Sequence, residues 1–176
     1  MQTPARTLLG LATALFLLLA TGPAPAQQTR ALRVALVLEI EVYGDVGGPE
    51  FEAQHAQRVP AASDRLRSRL REASIFDVLS SPEVVSEVRE KQRTQYLHRC
   101  NGCELDLARH LGAEVVVVPW IFRVSNLILT LNCEVRDVRR GTVLFKRALD
   151  FRGDNDTAWD RAVRYLINEM REAGLR

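Results

Sequence analysis

Cys100-Asn101-Gly102-Cys103 is the arrangement in this chain best suited to chemistry. Two thiols at this spacing can close a tight disulfide, supply half of a metal site, attach haem or exchange disulfides. Haem attachment needs His directly after the second Cys, and Glu104 stands there. Disulfide exchange favours a helix N-terminus, where the dipole lowers a thiol pKa; a helix is predicted to open near Gly102, and His98 and Arg99 add positive charge. Against exchange, the pair follows a helix late in the chain, whereas thioredoxin-like enzymes carry theirs after the first strand of their own fold. A metal would need two more ligands, and His98, His110 and Cys133 are the soft candidates. Cys133 falls on the apolar face of a predicted strand, where Cys behaves as a small hydrophobe. The pair therefore reads as a Cys100–Cys103 disulfide, with no metal and no cofactor assigned. The alternative is a periplasmic thiol–disulfide oxidoreductase using the same two residues.

Other chemistry-bearing residues point less far. Asp150, Asp154 and Asp156 surround Arg152-Gly153, but they miss the Gly and Glu positions of a calcium loop. They read as a strand end, a turn and a helix cap, with Arg152 pairing an acid. Glu39 and Glu41 are expected on one strand face without a partner for acid–base work. His55 is expected in a polar loop and His110 near a helix end. No Ser-His-Asp order, G-x-S-x-G elbow or G-x-G-x-x-G loop is present, so no catalytic residue is assigned.

Composition sets the frame around these residues. The 176-residue chain has 24 basic and 22 acidic side chains, and its net charge of +2 gives no case for binding nucleic acid. Of the basic residues only Lys91 and Lys146 are Lys, as in a GC-rich bacterial genome. Arg6, the apolar run Leu8–Ala20 and Ala24-Pro25-Ala26 form a secretory signal pattern over residues 1–26. The run is too short for a membrane span of about 20 residues. No cysteine follows it, which argues against a lipid anchor. Cleavage leaves residues 27–176 as a single mature domain without a membrane span, exported to the periplasm, where a disulfide persists.

Periodicity supplies the elements. Leu32 to Val42 alternates as one long strand, with Leu32, Val34, Leu36, Leu38, Ile40 and Val42 on one face. A polar loop is expected to about Gln57, then a helix over Pro60–Ala73 with Pro60 in its first turn. Arg65, Arg67, Arg69 and Arg71 read as a solvated face. A short strand over Ile75–Leu79 is followed by a helix opening at Ser81-Pro82-Glu83 and a second from Gly102 to Leu111. Strands are expected over Val115–Val118, with Pro119 marking a bulge or an exposed stretch, over Leu127–Val138 and over Val143–Phe151. Asn155 or Asp156 caps a last helix striped by Trp159, Val163, Leu166 and Met170. The order β-α-β-α-α-β-β-β-α predicts a single α/β (α+β) domain, a mixed sheet of about five strands with helices packed on it.

Leu111-Gly112-Ala113-Glu114, Arg123 to Leu129, Arg136-Asp137-Val138 with Gly141, and Asp150 to Trp159 resemble a secreted proteobacterial family, domain of unknown function 2380. More distantly, the element order is similar to the amino-terminal domain of TolB and to curli-secretion and penicillin-binding-protein-activator domains. That resemblance implies a non-catalytic envelope accessory that binds another envelope protein. Its most specific stretches are two corners of the sheet, and corners on a rigid scaffold are where binding residues sit. Arg123, Asn126, Asp150, Arg152 and Asp154 are therefore the candidate binding residues, because Arg and Asn offer several directed hydrogen bonds.

Overall fold

The computed structural model describes residues 31–45 and 47–175; the signal pattern expected over residues 1–26 lies outside them. Its six strands form one open mixed sheet: β1 (Val34–Val37), β2 (Glu41–Gly44), β3 (Asp77–Leu79), β4 (Val115–Arg123), β5 (Leu129–Asp137) and β6 (Val143–Phe151). The order is β3-β1-β4-β5-β6, with β2 continuing the line of β1 along β4. β1 runs parallel to β3 and β4, whereas β4, β5 and β6 form an antiparallel meander. The fold class is as predicted; the sixth strand arises because the expected first strand is broken in two.

That break has a local cause with a large consequence. Val37 pairs with Val117 and Glu41 with Trp120, so four steps along the first strand match three along β4. The extra residue is a bulge, and side chains beyond it change face. Ala35 and Val37 share the core cluster of Ile40, whereas Leu36 and Leu38 join the opposite one. The expected single face from Leu32 to Val42 is thus corrected, whereas Glu39 and Glu41 both reach α2, through Arg89 and Gln92. Pro119 lies opposite this bulge, where a central strand can spare a ladder donor.

Two helical layers cover the sheet. α1 (Pro49–Glu72) and α4 (Asp156–Glu172) pack on one face, with Leu66, Leu70, Trp159, Leu166 and Met170 almost wholly buried. α2 (Pro82–Thr94), a 3-10 turn at Leu97–Arg99 and α3 (Cys103–His110) supply Val88, Leu97, Leu107 and Ala108 to the other. Ser81 caps α2 through the amide of Val84, and the Asn155 side chain caps α4 through that of Ala158 at 3.0 Å. On the α2–α3 side, Thr130, Asn132 and Glu134 of β5 remain half-buried, and Lys146, Ala148 and Asp150 of β6 are exposed.

α1 starts eleven residues before its expected start, at Pro49 rather than Pro60, which lies inside it. A proline in a helix interior costs about 3 kcal/mol. Burial of a large apolar side chain returns ~1.5–3 kcal/mol, and Leu66 and Leu70 are both at 0% exposure. The stripe reaches back from them through Ala62 to Val59 and His55, so the helix continues through the break. The run of arginines is only in part the solvated face expected: Arg71 is exposed, but Arg67 is not. Arg67 is buried, donates to the Val37 carbonyl and pairs with Glu39 at 3.5 Å; Arg69 pairs with Asp160 at 2.8 Å.

Candidate functional site

The hairpin joining β4 to β5 and the loop leading into α4 meet at one corner of the sheet. The amide of Asp154 donates to the Asn126 carbonyl at 2.9 Å, and that of Gly153 to the Leu127 carbonyl at 3.3 Å. Gly153 takes φ +92°, where a side chain would be strained and would press on Asn155. Below this seam lies a buried charge cluster centred on the Asp154 carboxylate.

Four side chains converge on that carboxylate. Arg123 Nε donates at 2.9 Å, Arg58 Nη1 at 2.9 Å and Trp159 Nε1 at 3.0 Å, and His55 Nε2 lies at 2.8 Å. Burial raises the Asp154 pKa, but the bonds from His55, Arg123 and Trp159 outweigh it and hold the carboxyl below its ordinary value. Arg123 is 1% exposed, and its guanidinium carbon lies over the Phe51 ring, 4.6 Å from the centroid. Its other two nitrogens donate to the Asp45 carbonyl and to Asn126 Oδ1. Gly44, just before, takes φ +101°, and a Cβ there would strike the Arg123 carbonyl. β2, α1, α4 and the hairpin are therefore fastened together by one carboxylate and two guanidinium groups.

The frame holds out an apolar tip. Val124, Leu127 and Ile128 are 49%, 67% and 49% exposed. Leu127, expected on the inner face of β5, instead lies in this loop, and only Leu129, Leu131, Cys133 and Val135 share that face inward. Arg152 is exposed beside Gly153, and Asp150 accepts from Thr130 Oγ1 at 2.7 Å on the open sheet face. Of the five residues singled out by sequence, Arg123, Asn126 and Asp154 bond to one another, whereas Asp150 and Arg152 flank them on β6 and its exit. His55, expected in a polar loop, instead lies buried within α1, and Arg58 beside it is missed for the same reason, that the helix is expected to begin only at Pro60. Their spacing with Val59, Ala62 and Leu66 was the available signal.

A second buried carboxylate sits on the opposite face. Glu41 accepts from the amides of Leu97 at 2.7 Å and His98 at 3.0 Å, from Gln92 at 2.8 Å and from His98 Nδ1. Burial raises its pKa; the bonds from His98, Gln92 and the two amides outweigh that and lower it. The His98 ring stacks on Trp120 at 5.3 Å and Tyr43 at 5.0 Å. Cys100 and Cys103 are bonded to each other, with Cα atoms 5.6 Å apart, where the turn runs into α3. Cys133 is free and buried, and burial pushes its thiol pKa far up.

An open mixed sheet between two helical layers, with a braced corner and an apolar tip, defines an α/β scaffold. Solved structures similar to it include the LpoB C-terminal domain from Escherichia coli, at 19% identity and TM-score 0.48, covering 71% of this chain and 86% of that one. A PelC dodecamer from Paraburkholderia phytofirmans matches at 16% identity and TM-score 0.45, covering 81% and 86%. TolB from Acinetobacter baumannii matches at 10% and 0.48, covering 81% of this chain and 28% of that one. No curated protein matches. The chain belongs to the family described as "Protein of unknown function (DUF2380)", whose pattern matches residues 33–170.

Proposed function

We propose that the chain is a secreted, non-catalytic accessory of the bacterial envelope that binds another envelope protein in the periplasm after loss of residues 1–26. The observation that carries this reading is the tip itself. Three apolar side chains stand in water on a loop whose base is fixed by buried ion pairs. Holding apolar groups rigidly in solvent is costly to a monomer and useful to a binder, because the ordering entropy is already spent. Arg123 and Asp154 act from inside by setting the loop. Asn126, Leu127, Arg152 and Asp150 form the surface that a partner meets.

The leader pattern and the Cys100–Cys103 bond support the compartment, since disulfides persist outside the cytosol. The bond is assigned a structural role, tying the turn that caps Glu41 to α3; a strongly reducing potential for the pair separates this from thiol exchange.

A photo-crosslinking side chain at position 127 tests the reading in cells. It should give a discrete adduct with one envelope protein, whereas the same group at Ser86, exposed on α2, should give none. Equal labelling from both positions would remove the tip as the site.

A further inference from the structure

β6 is the end of the sheet, and among the described residues no strand pairs with its outer edge. It has nine residues, Val-Leu-Phe-Lys-Arg-Ala-Leu-Asp-Phe, with no Pro or Gly to blunt it. Its one irregularity is a bulge at Leu144, which leaves the seven residues Phe145–Phe151 straight. An edge of this length invites another strand unless its charges repel one.

Those charges are arranged to accept a copy of themselves. When two Phe145–Phe151 stretches run antiparallel with Ala148 opposite Ala148, Lys146 of each copy faces Asp150 of the other, and Phe145 faces Phe151. Opposite charges directly across an antiparallel pair attract and like charges repel. Lys146, Ala148 and Asp150 all lie on the exposed sheet face, with Lys146 already beside Glu134 of its own chain at 2.7 Å, so both ion pairs can be added there by symmetry. The opposite face carries Phe145, Leu149 and Phe151, which pack on the core under α4.

The same charges reject the neighbouring registers that keep both helical layers on matching sides. A pairing centred on Arg147 sets Arg147 against Arg147; one centred on Leu149 sets Lys146 against Arg152. Of these three registers, only the one centred on Ala148 is free of like-charge opposition.

Leu144, at the bulge, is 40% exposed in the single chain. Beyond Phe145 it runs past the Phe151 end of the other copy's strand, where a groove of about 460 Å³ opens between β6 and α4, lined by Leu149, Phe151, Ala162 and Tyr165 among others. We infer that β6 is a two-fold pairing edge, joining two copies of this chain through Phe145–Phe151 into one continuous sheet.

Sedimentation velocity on the protein purified from the periplasm after export tests this over about 1–100 μM, the concentration range in which micromolar contacts register. A dimer is expected. Because each pair occurs twice, Lys146→Asp or Asp150→Lys alone should raise the dimer dissociation constant by at least about tenfold, with circular dichroism unchanged. The double variant carrying both exchanges should restore it. Ala148→Cys should give a copy-to-copy disulfide on mild oxidation. A monomer throughout the range, or a double variant no tighter than the singles, would overturn the inference. Neither result touches the hairpin tip, so partner binding stands or falls separately.

Discussion

Asp154 and Glu41, buried carboxylates on opposite faces of the sheet, are satisfied in different ways. Asp154 is neutralised by Arg58 and Arg123, which stay charged at any pH the protein meets, and it ties together segments far apart in the chain. Glu41 has no guanidinium; it rests on two backbone amides, Gln92 and His98. Asp154 lies under an exposed apolar loop and fixes its base. Glu41 lies under a turn and a disulfide and fixes a layer of the scaffold. The difference teaches which polar cluster serves presentation and which serves folding.

Breaking that contrast should be most costly at Asp154. Asp154→Ala leaves Arg123 buried without its counter-charge, and losing one partner of a buried pair costs about 3–5 kcal/mol. Urea unfolding should show a loss of that size, and the hairpin amides should exchange faster than those of α2. An unchanged midpoint would mean that the corner is not held as described.

Glu41→Gln should cost less, about 1–3 kcal/mol, since an amide oxygen still accepts from one of the two backbone donors. It also sharpens the comparison through pH. Both carboxyls have folded pKa values below their ordinary ones, 4.5 for Glu41 and 3.8 for Asp154. Each therefore contributes stability that is fully present above the ordinary value and is lost as pH falls through the lowered one. The parent protein should lose stability in acid below about pH 4.5, and Glu41→Gln should flatten the upper part of that fall. Equal slopes for parent and variant would remove Glu41 from the linkage.

Much of this division was legible in the sequence, and the gaps have physical causes. Ser81 and Asn155 announce their helices because a cap is a local event, settled within three residues. β5, and β6 from Phe145 onward, alternate cleanly because one side of each faces the core. The bulge between Val37 and Glu41 left no trace, since Leu38, Glu39 and Ile40 alternate as well as any strand; it is set by the pairing with β4, whose Pro119 was the one indication. α1 was cut short because Pro60 and a run of polar residues mimic a loop, and with its first turns went His55 and Arg58. Asp154 and Arg123 stand out in the sequence, but as residues reaching outward. Their burial follows from long-range contacts with α1 and α4 that no local pattern encodes.

The smallest effect on stability belongs to the tip, and there the largest effect on binding is expected. Leu127→Asp changes a side chain that is 67% exposed, so its unfolding free energy should stay within about 0.5 kcal/mol of the parent. Partner capture and thermal midpoint, measured together on this one variant, bear most directly on the central claim. A protein that melts with the parent yet no longer retains the envelope protein crosslinked at position 127 is the predicted result. A variant that melts with the parent and retains that protein in full would contradict it.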